Sequence, residues 1–362
     1  MTELLKKLND DSADISSWLP HDRLPWVIAG PCSAESEEQM LETARVLVKS
    51  PHIKVFRAGI WKPRTRPGSF EGVGEEGLNW LDAVKAETGL LTTTEVAGAR
   101  HVEICLERGV DILWIGARTT VNPFMVQEIA EALKGVDIPV LVKNPINAEL
   151  GLWLGAIERL YQSGIHKLGA IHRGFSTYTE MEYRNEPNWQ IPIELKRLIP
   201  RMPLICDPSH ISGNRDLVEQ VSRMALDLGI ESLMVESHIH PEQALSDARQ
   251  QVTPEALTTM LERLRARHGD IANKRARKKI ERLRSEISQL DAQILSDLAE
   301  RMHCVEEIGR LKQKYEISVL QLGRWENLLE DHIAKARGMG LDADFVKAVF
   351  EEIHTYAVRK QL

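Results

Sequence analysis

Residues 139–172 read PVLVKNPINAELGLWLGAIERLYQSGIHKLGAIH. A short apolar run, PVLVK at 139–143, gives way to a longer amphipathic stretch and then to a second apolar run, HKLGAIH at 166–172. Apolar runs too short for a helix read as buried strands, and the stretch between them is long enough for a crossover helix. The same unit repeats on both sides. WVIAG at 26–30, IKVFRAG at 53–59, LLTTTE at 90–95 and DILWIG at 111–116 come before it, and PLICD at 203–207 and SLMVE at 232–236 come after. Regular alternation of this kind implies parallel strands joined by right-handed crossovers. Eight such units predict an α/β fold, a closed (β/α)8 TIM barrel with no edge strand left over.

Past Gln250 the pattern changes. Ile280, Leu283, Ile287, Leu290, Ile294, Leu298, Met302 and Val305 recur at helical spacing, and the pattern runs to about Lys314 without a breaker. A helix that long needs a partner surface. Two shorter helices are expected over about 322–337 and 342–360, separated by Gly338-Met339-Gly340. The expected organisation is therefore a barrel over 1–253, a linking helix over 254–269 and an all-α three-helix domain over 270–362.

Composition narrows the partners. With 43% hydrophobic and 27% charged residues the chain is ordinary for a globular protein, and its net charge of −7 gives no general attraction for nucleic acid. The basic run from Lys274 to Arg284 has no interleaved aromatic residue for stacking on single strands, and it reads as a solvated helix face. The opening MTELLKKLNDDSADISSWL lacks the apolar core of a signal peptide. No run reaches the roughly 18 apolar residues that span a bilayer, so no membrane partner is expected. Cys32, Cys105, Cys206 and Cys304 are too few and too scattered for a disulfide framework, which points to the cytoplasm.

Chemistry concentrates where the expected strands end, the face on which a (β/α)8 barrel carries its active site. Cys32 follows the first run, His210 the seventh, Glu236 ends the eighth and Asp247 lies beyond it. One thiolate, one imidazole and two carboxylates form a mixed set suited to a divalent transition metal. Arg57, Lys62, Arg64, Arg118, Lys143 and Arg173 crowd the same mouth. Six unpaired cations there would be costly, and an anionic substrate carrying more than one phosphate-sized group is the simplest compensation.

The segments GPCS at 30–33, KPRT at 62–65, GART at 116–119, DPSHISG at 207–213 and MVESHIHPEQALSDARQ at 234–250 carry a resemblance. Over roughly residues 24–250 the chain resembles 3-deoxy-D-arabino-heptulosonate 7-phosphate (DAHP) synthase, in its short type I-beta branch. The resemblance implies condensation of phosphoenolpyruvate with erythrose 4-phosphate. It implies Cys32, His210, Glu236 and Asp247 as ligands of a divalent metal ion (Mn, Fe, Co or Zn). Arg57, Lys62, Arg118, Lys143 and Arg173 would hold phosphoenolpyruvate, and Arg64 with Thr65 the aldose phosphate. Lys62 is the candidate for moving a proton at the aldehyde oxygen. The eight-carbon sugar-acid phosphate synthase shares the barrel, and KPRT favours the shorter aldose.

In the helical region Arg301 and Lys312 are eleven residues apart, about three turns, and share one face. Arg284 lies seventeen residues before Arg301, roughly 25 Å along the axis and about 100° around it. If these cations bind one ligand, Arg284 must come from a second chain. LRSEISQLDAQILSDLAERM at 283–302, Lys312 and VLQLGRWENLL at 319–329 resemble the all-helical chorismate mutases, over about 272–362. That resemblance implies a homodimer acting on chorismate, with Arg284 of a second copy, Arg301, Lys312, Arg324 and Gln361 around a dicarboxylate. Arg301, Lys312 and Gln361 would be catalytic, the last two at the breaking ether oxygen. Gln321 and Trp325 depart from the family, which often has acidic residues there. The combined expectation is a bifunctional enzyme of aromatic biosynthesis, with feedback on the barrel by prephenate or chorismate through the mutase domain. The alternative is a synthase whose helical domain only regulates or dimerises.

Overall fold

A computed structural model describes residues 3–19, 25–62, 68–178, 181–264 and 273–362. Eight parallel strands close into a barrel in sequence order: β1 (Trp26–Gly30), β2 (Ile53–Arg57), β3 (Leu91–Val96), β4 (Ile112–Ile115), β5 (Val140–Lys143), β6 (Leu168–His172), β7 (Leu204–Cys206) and β8 (Ser232–Glu236). β8 pairs back on β1 from Trp26 opposite Ser232 to Gly30 opposite Glu236. The strands are buried on both faces, which is why their sequences are continuous apolar runs.

Successive strand residues point to opposite sides, and this alternation sorts the side chains into two layers. Ile28, Val55, Trp114, Leu141, Ile171, Ile205 and Met234 pack together inside the barrel. Phe56, Val142, Ala170, Cys206 and Val235 join the layer between strands and helices. Two residues beyond the inner set, the same period brings Arg57, Lys143, Arg173, Asp207 and Glu236 to the C-terminal mouth. Trp18 and Leu19 pack with Trp26 in the inner cluster and close the opposite end.

The segment expected as a link behaves otherwise. Helix Pro254–Arg263 starts at Thr253, whose Oγ1 accepts from the Ala256 N–H. Its Leu257, Met260 and Leu261 are buried in the outer layer, and it packs on helix Glu37–Leu47. Apolar residues at i, i+3 and i+4 give it a core-facing stripe, so it is the last outer helix of the barrel rather than a linker. The first compact unit runs from Met1 to Gly269 and the second from Asp270 to Leu362.

The second unit has three helices, Lys274–Lys314, Leu322–Gly338 and Ala343–Gln361. Asn273 Oδ1 accepts from the Arg275 and Ala276 N–H groups, and Asp342 Oδ1 from Phe345 N–H, capping the first and third. The third packs against both others. Along the first helix only Val305 and Gly309 are buried, while Leu283, Ile287, Leu290, Ile294 and Leu295 lie exposed. Among the described residues no helix is long and apolar enough to cross a membrane.

Candidate active sites

β1 ends at Gly30, where φ is +148° and a Cβ would collide with the Arg57 carbonyl oxygen. The glycine lets the chain turn tightly against β2 and deliver Cys32 to the mouth. The Cys32 N–H donates to Gln251 Oε1 at 2.9 Å, and its Sγ lies 3.0 Å from Lys62 Nζ and 3.4 Å from Asp247 Oδ2. Burial and then Glu236 push the thiol up to about 12. A divalent cation would reverse that preference, because a coordinating thiol is deprotonated outright.

Two of the other expected ligands, Glu236 and Asp247, meet Cys32 in one group, and His210 stands beside Glu236 but outside that group. Donor atoms of Cys32, Glu236 and Asp247 all lie within 4.8 Å of one another. Glu236 Oε2 accepts from Gln250 Nε2 at 2.6 Å, while Oε1 receives no hydrogen bond and has Arg57 Nη2 at 3.2 Å and His210 Nε2 at 3.7 Å. Burial pushes the His210 pKa down against the pull of Asp207, which favours the neutral imidazole that metals bind. Asp247 sits at φ +47°, in the left-handed region, where Arg184 Nη1 donates to its Oδ1 at 2.9 Å. A buried carboxylate oxygen without a hydrogen bond, beside a thiol, a neutral imidazole and a second carboxylate, fits a divalent transition metal.

Cations surround this cluster. Arg57 is 1% exposed, and its Nε and Nη1 have no hydrogen-bond partners. Its guanidinium lies 4.9 Å over the Trp114 ring, and Lys143 Nζ lies 5.8 Å over the same ring. Burial would lower the Lys62 pKa, but Cys32, Glu236 and Glu95 outweigh it and keep the ammonium charged. Lys62, Arg118, Lys143, Arg173, His210 and Asp247 all line a cavity of about 520 Å³. Arg64 and Thr65 lie outside the described residues.

In the helical unit a cleft of about 150 Å³ is lined by Arg301, Lys312, Arg324 and Gln361. Lys312 Nζ donates to the Val319 carbonyl at 2.6 Å. Arg301 Nη1 and Gln361 Oε1 are buried without hydrogen-bond partners. Gln321 and Trp325 line the cleft too, and Trp325 stacks on His354 at 3.9 Å between ring centroids. Arg284, exposed near the start of the long helix, is not among the lining residues.

Residues 19–271 match the model of the DAHP synthetase I family, and residues 283–362 match that of chorismate mutase type II. The chain belongs to the DAHP synthetase I family. A curated relative, the phospho-2-dehydro-3-deoxyheptonate aldolase of Thermotoga maritima, is 34% identical over 66% of this chain and 68% of its own length. A crystal structure of a DAHP synthase from that organism superposes with TM-score 0.60 at 32% identity, over 69% of this chain and 75% of that one. More distant is a 2-dehydro-3-deoxyphosphooctonate aldolase of Legionella pneumophila, 27% identical over 68% of this chain and 92% of the relative. The protein is thus a DAHP synthase joined to a chorismate mutase, a bifunctional enzyme of the shikimate pathway.

Further residues support the synthase mouth. Asp207 Oδ2 lies 2.8 Å from both Lys143 Nζ and His210 Nδ1, and its Oδ1 accepts from the His210 N–H. Burial opposes the Asp207 charge, but His210 and Lys143 hold its carboxyl well below the usual range. A carboxylate so placed beside an imidazole orients the ring. Trp114, Glu95 and Arg184 carry no signal in the sequence. Trp114 looks like any core aromatic until the alternation of β4 is known. Its Nε1 donates to Glu95 Oε2 at 3.0 Å.

Proposed function

We propose that the synthase barrel condenses phosphoenolpyruvate with erythrose 4-phosphate, releasing phosphate, with a divalent metal (Mn, Fe, Co or Zn) held by Cys32, His210, Glu236 and Asp247. One observation carries the reading: three of these donors lie within 4.8 Å of one another around a buried Glu236 oxygen that has no hydrogen bond. A metal there would supply Lewis-acid polarisation of an aldehyde. Arg57, Lys62, Arg118, Lys143 and Arg173 offset the phosphate and carboxylate charges while the reactants are held together. Arg57 pairs with Glu236 through Nη2, while its Nε and Nη1 have no hydrogen-bond partners and its guanidinium rests over the neutral Trp114 ring, so two of its three nitrogens remain to be matched by an anion. Arg64 and Thr65 take the aldose phosphate. Carbon 3 of the enol bonds to the aldehyde carbon, water adds at carbon 2, and phosphate leaves with cleavage of its C–O bond. Lys62 gives a proton to the former aldehyde oxygen, and of the two protons lost by the water one restores Lys62 and the other leaves with the phosphate.

The helical domain converts chorismate to prephenate. In our reading Arg301, Lys312, Arg324 and Gln361 hold the dicarboxylate in its compact conformer, with Lys312 and Gln361 at the ether oxygen that breaks. Arg284 comes from a second copy, and the exposed apolar face of the long helix is the surface that copy covers. Prephenate, or chorismate, bound in this cleft inhibits the barrel, which requires different affinity for two states of the enzyme.

The test is phosphate release from phosphoenolpyruvate and erythrose 4-phosphate, with and without chelator. Chelation should abolish release and added Mn²⁺ should restore it, and Cys32→Ala should abolish it in folded protein. Undiminished release from metal-stripped enzyme overturns the metal reading. For feedback, prephenate should slow condensation in the full chain and not in Arg301→Ala.

A further inference from the structure

We infer that Arg184 and Asn185 are positioning residues that bind the anion half of the synthase mouth to its metal half, so that metal and phosphoenolpyruvate affinities are coupled through Asn185. The inference rests on the metal site proposed above. After β6 the chain turns at Gly174, at φ +75°, where a Cβ would come within 2.6 Å of the Asn185 carbonyl oxygen. It then returns beside itself, Phe175 and Glu186 exchanging two backbone hydrogen bonds of 2.8 Å. This return sets Asn185, 4% exposed, between two functional side chains.

Asn185 spends both ends of its amide there. Oδ1 accepts from Arg173 Nη1 at 2.6 Å, and Nδ2 donates to the His210 carbonyl oxygen at 2.6 Å. The Asn185 N–H donates to the Ile211 carbonyl at 3.1 Å, so the backbone is tied to the short helix that carries His210. Arg184 reaches the other ligands. Its Nη1 donates to Asp247 Oδ1 at 2.9 Å and to Gln250 Oε1 at 2.7 Å, and Gln250 Nε2 in turn donates to Glu236 Oε2 at 2.6 Å. Two adjacent residues therefore hold His210, Asp247, Glu236 and Arg173. An anion that fixes Arg173 also fixes the carbonyl end of His210, and by linkage an occupied metal site must favour the anion by the same factor.

The experiment measures Mn²⁺ binding to the full chain by electron paramagnetic resonance, with and without saturating phosphoenolpyruvate. In the native protein phosphoenolpyruvate should tighten Mn²⁺ at least about fivefold, the low end of measured couplings. Asn185→Ala should reduce that ratio below about twofold while both ligands still bind. Arg184→Met, whose side chain is half exposed, should weaken Mn²⁺ by about tenfold, as loss of outer support does, and keep the ratio. Should Asn185→Ala fold poorly, Asn185→Asp keeps the size and the acceptor for Arg173 but loses the donor to His210, and it should lose the ratio as well. A full ratio in a folded Asn185 variant, or none in the native protein, overturns the inference with the metal site left standing. Failure of the native protein to bind Mn²⁺ overturns both.

Discussion

Gly309 and Gln361 meet almost backbone to backbone: a Cβ on Gly309 would lie 3.2 Å from the Gln361 Cα. A glycine in mid-helix costs about 1 kcal/mol against alanine, and here the missing side chain lets the end of the third helix rest on the first. Gly309→Val should push Gln361 out of the cleft and lower mutase kcat/KM by about tenfold, about 1.4 kcal/mol of transition-state stabilisation. Deleting Gln361 and Leu362 should do at least as much. Condensation should be unchanged in both variants, and parallel assays of the two reactions check this.

Asp207 holds Lys143 and His210 with one carboxylate. Asp207→Asn keeps the shape and removes the charge, leaving Lys143 buried without its counter-ion. Removing one partner of a buried pair costs about 3–5 kcal/mol. We expect a lower melting temperature, and condensation reduced more than a hundredfold even at saturating Mn²⁺. Calorimetry and phosphate release read the two effects separately.

His172 gives the barrel a pH dependence of its own. Burial and then the Arg173 guanidinium lower its pKa from 6.5 to about 3. Its folded pKa lies below its unfolded one, so between pH 6.5 and pH 3 the unfolded chain holds the extra proton. The stabilisation is complete above pH 6.5 and is lost as pH falls through that window, by up to ~1.4 kcal/mol per pH unit. His172→Leu should flatten the stability curve between pH 6.5 and pH 4, measured by denaturant unfolding at each pH. An unchanged slope would assign it to other groups.

Mixing tests the shared mutase site. Arg284→Ala and Lys312→Ala should each be nearly inactive alone. If Arg284 serves the neighbouring site, a mixed dimer keeps one intact site of two, and random mixing should restore about a quarter of native mutase activity. No recovery after subunit exchange would place Arg284 in its own chain's function or in none.

The strand period made the barrel legible: each apolar run became a strand, and Arg57, Lys143, Arg173 and Glu236 sit where an inward alternation puts them. The long helix was legible because its apolar spacing never breaks. What escaped reading was the support around these groups. Asn185 and Arg184 stand in loops and look like ordinary polar surface until the turn at Gly174 folds them inward. Helix Pro254–Arg263 reads as a link because its stripe is short, and only closure of the barrel shows that it has a place to pack. In the mutase cleft the stacking of Trp325 on His354 joins residues 29 positions apart on different helices, a distance that no local pattern spans.

The two-layer sorting of strand residues sets the tolerance of the mouth to change. In β2, Phe56 faces the helices and Arg57 the mouth, and deletion of one residue would exchange them. A guanidinium would then enter the greasy outer layer while an aromatic ring blocked the anion's seat. Substitutions at these strand ends adjust a single chemical property, whereas a change of strand length by one residue inverts the whole end at once. Insertions and deletions in this protein should therefore survive in its loops and be purged from its eight strands.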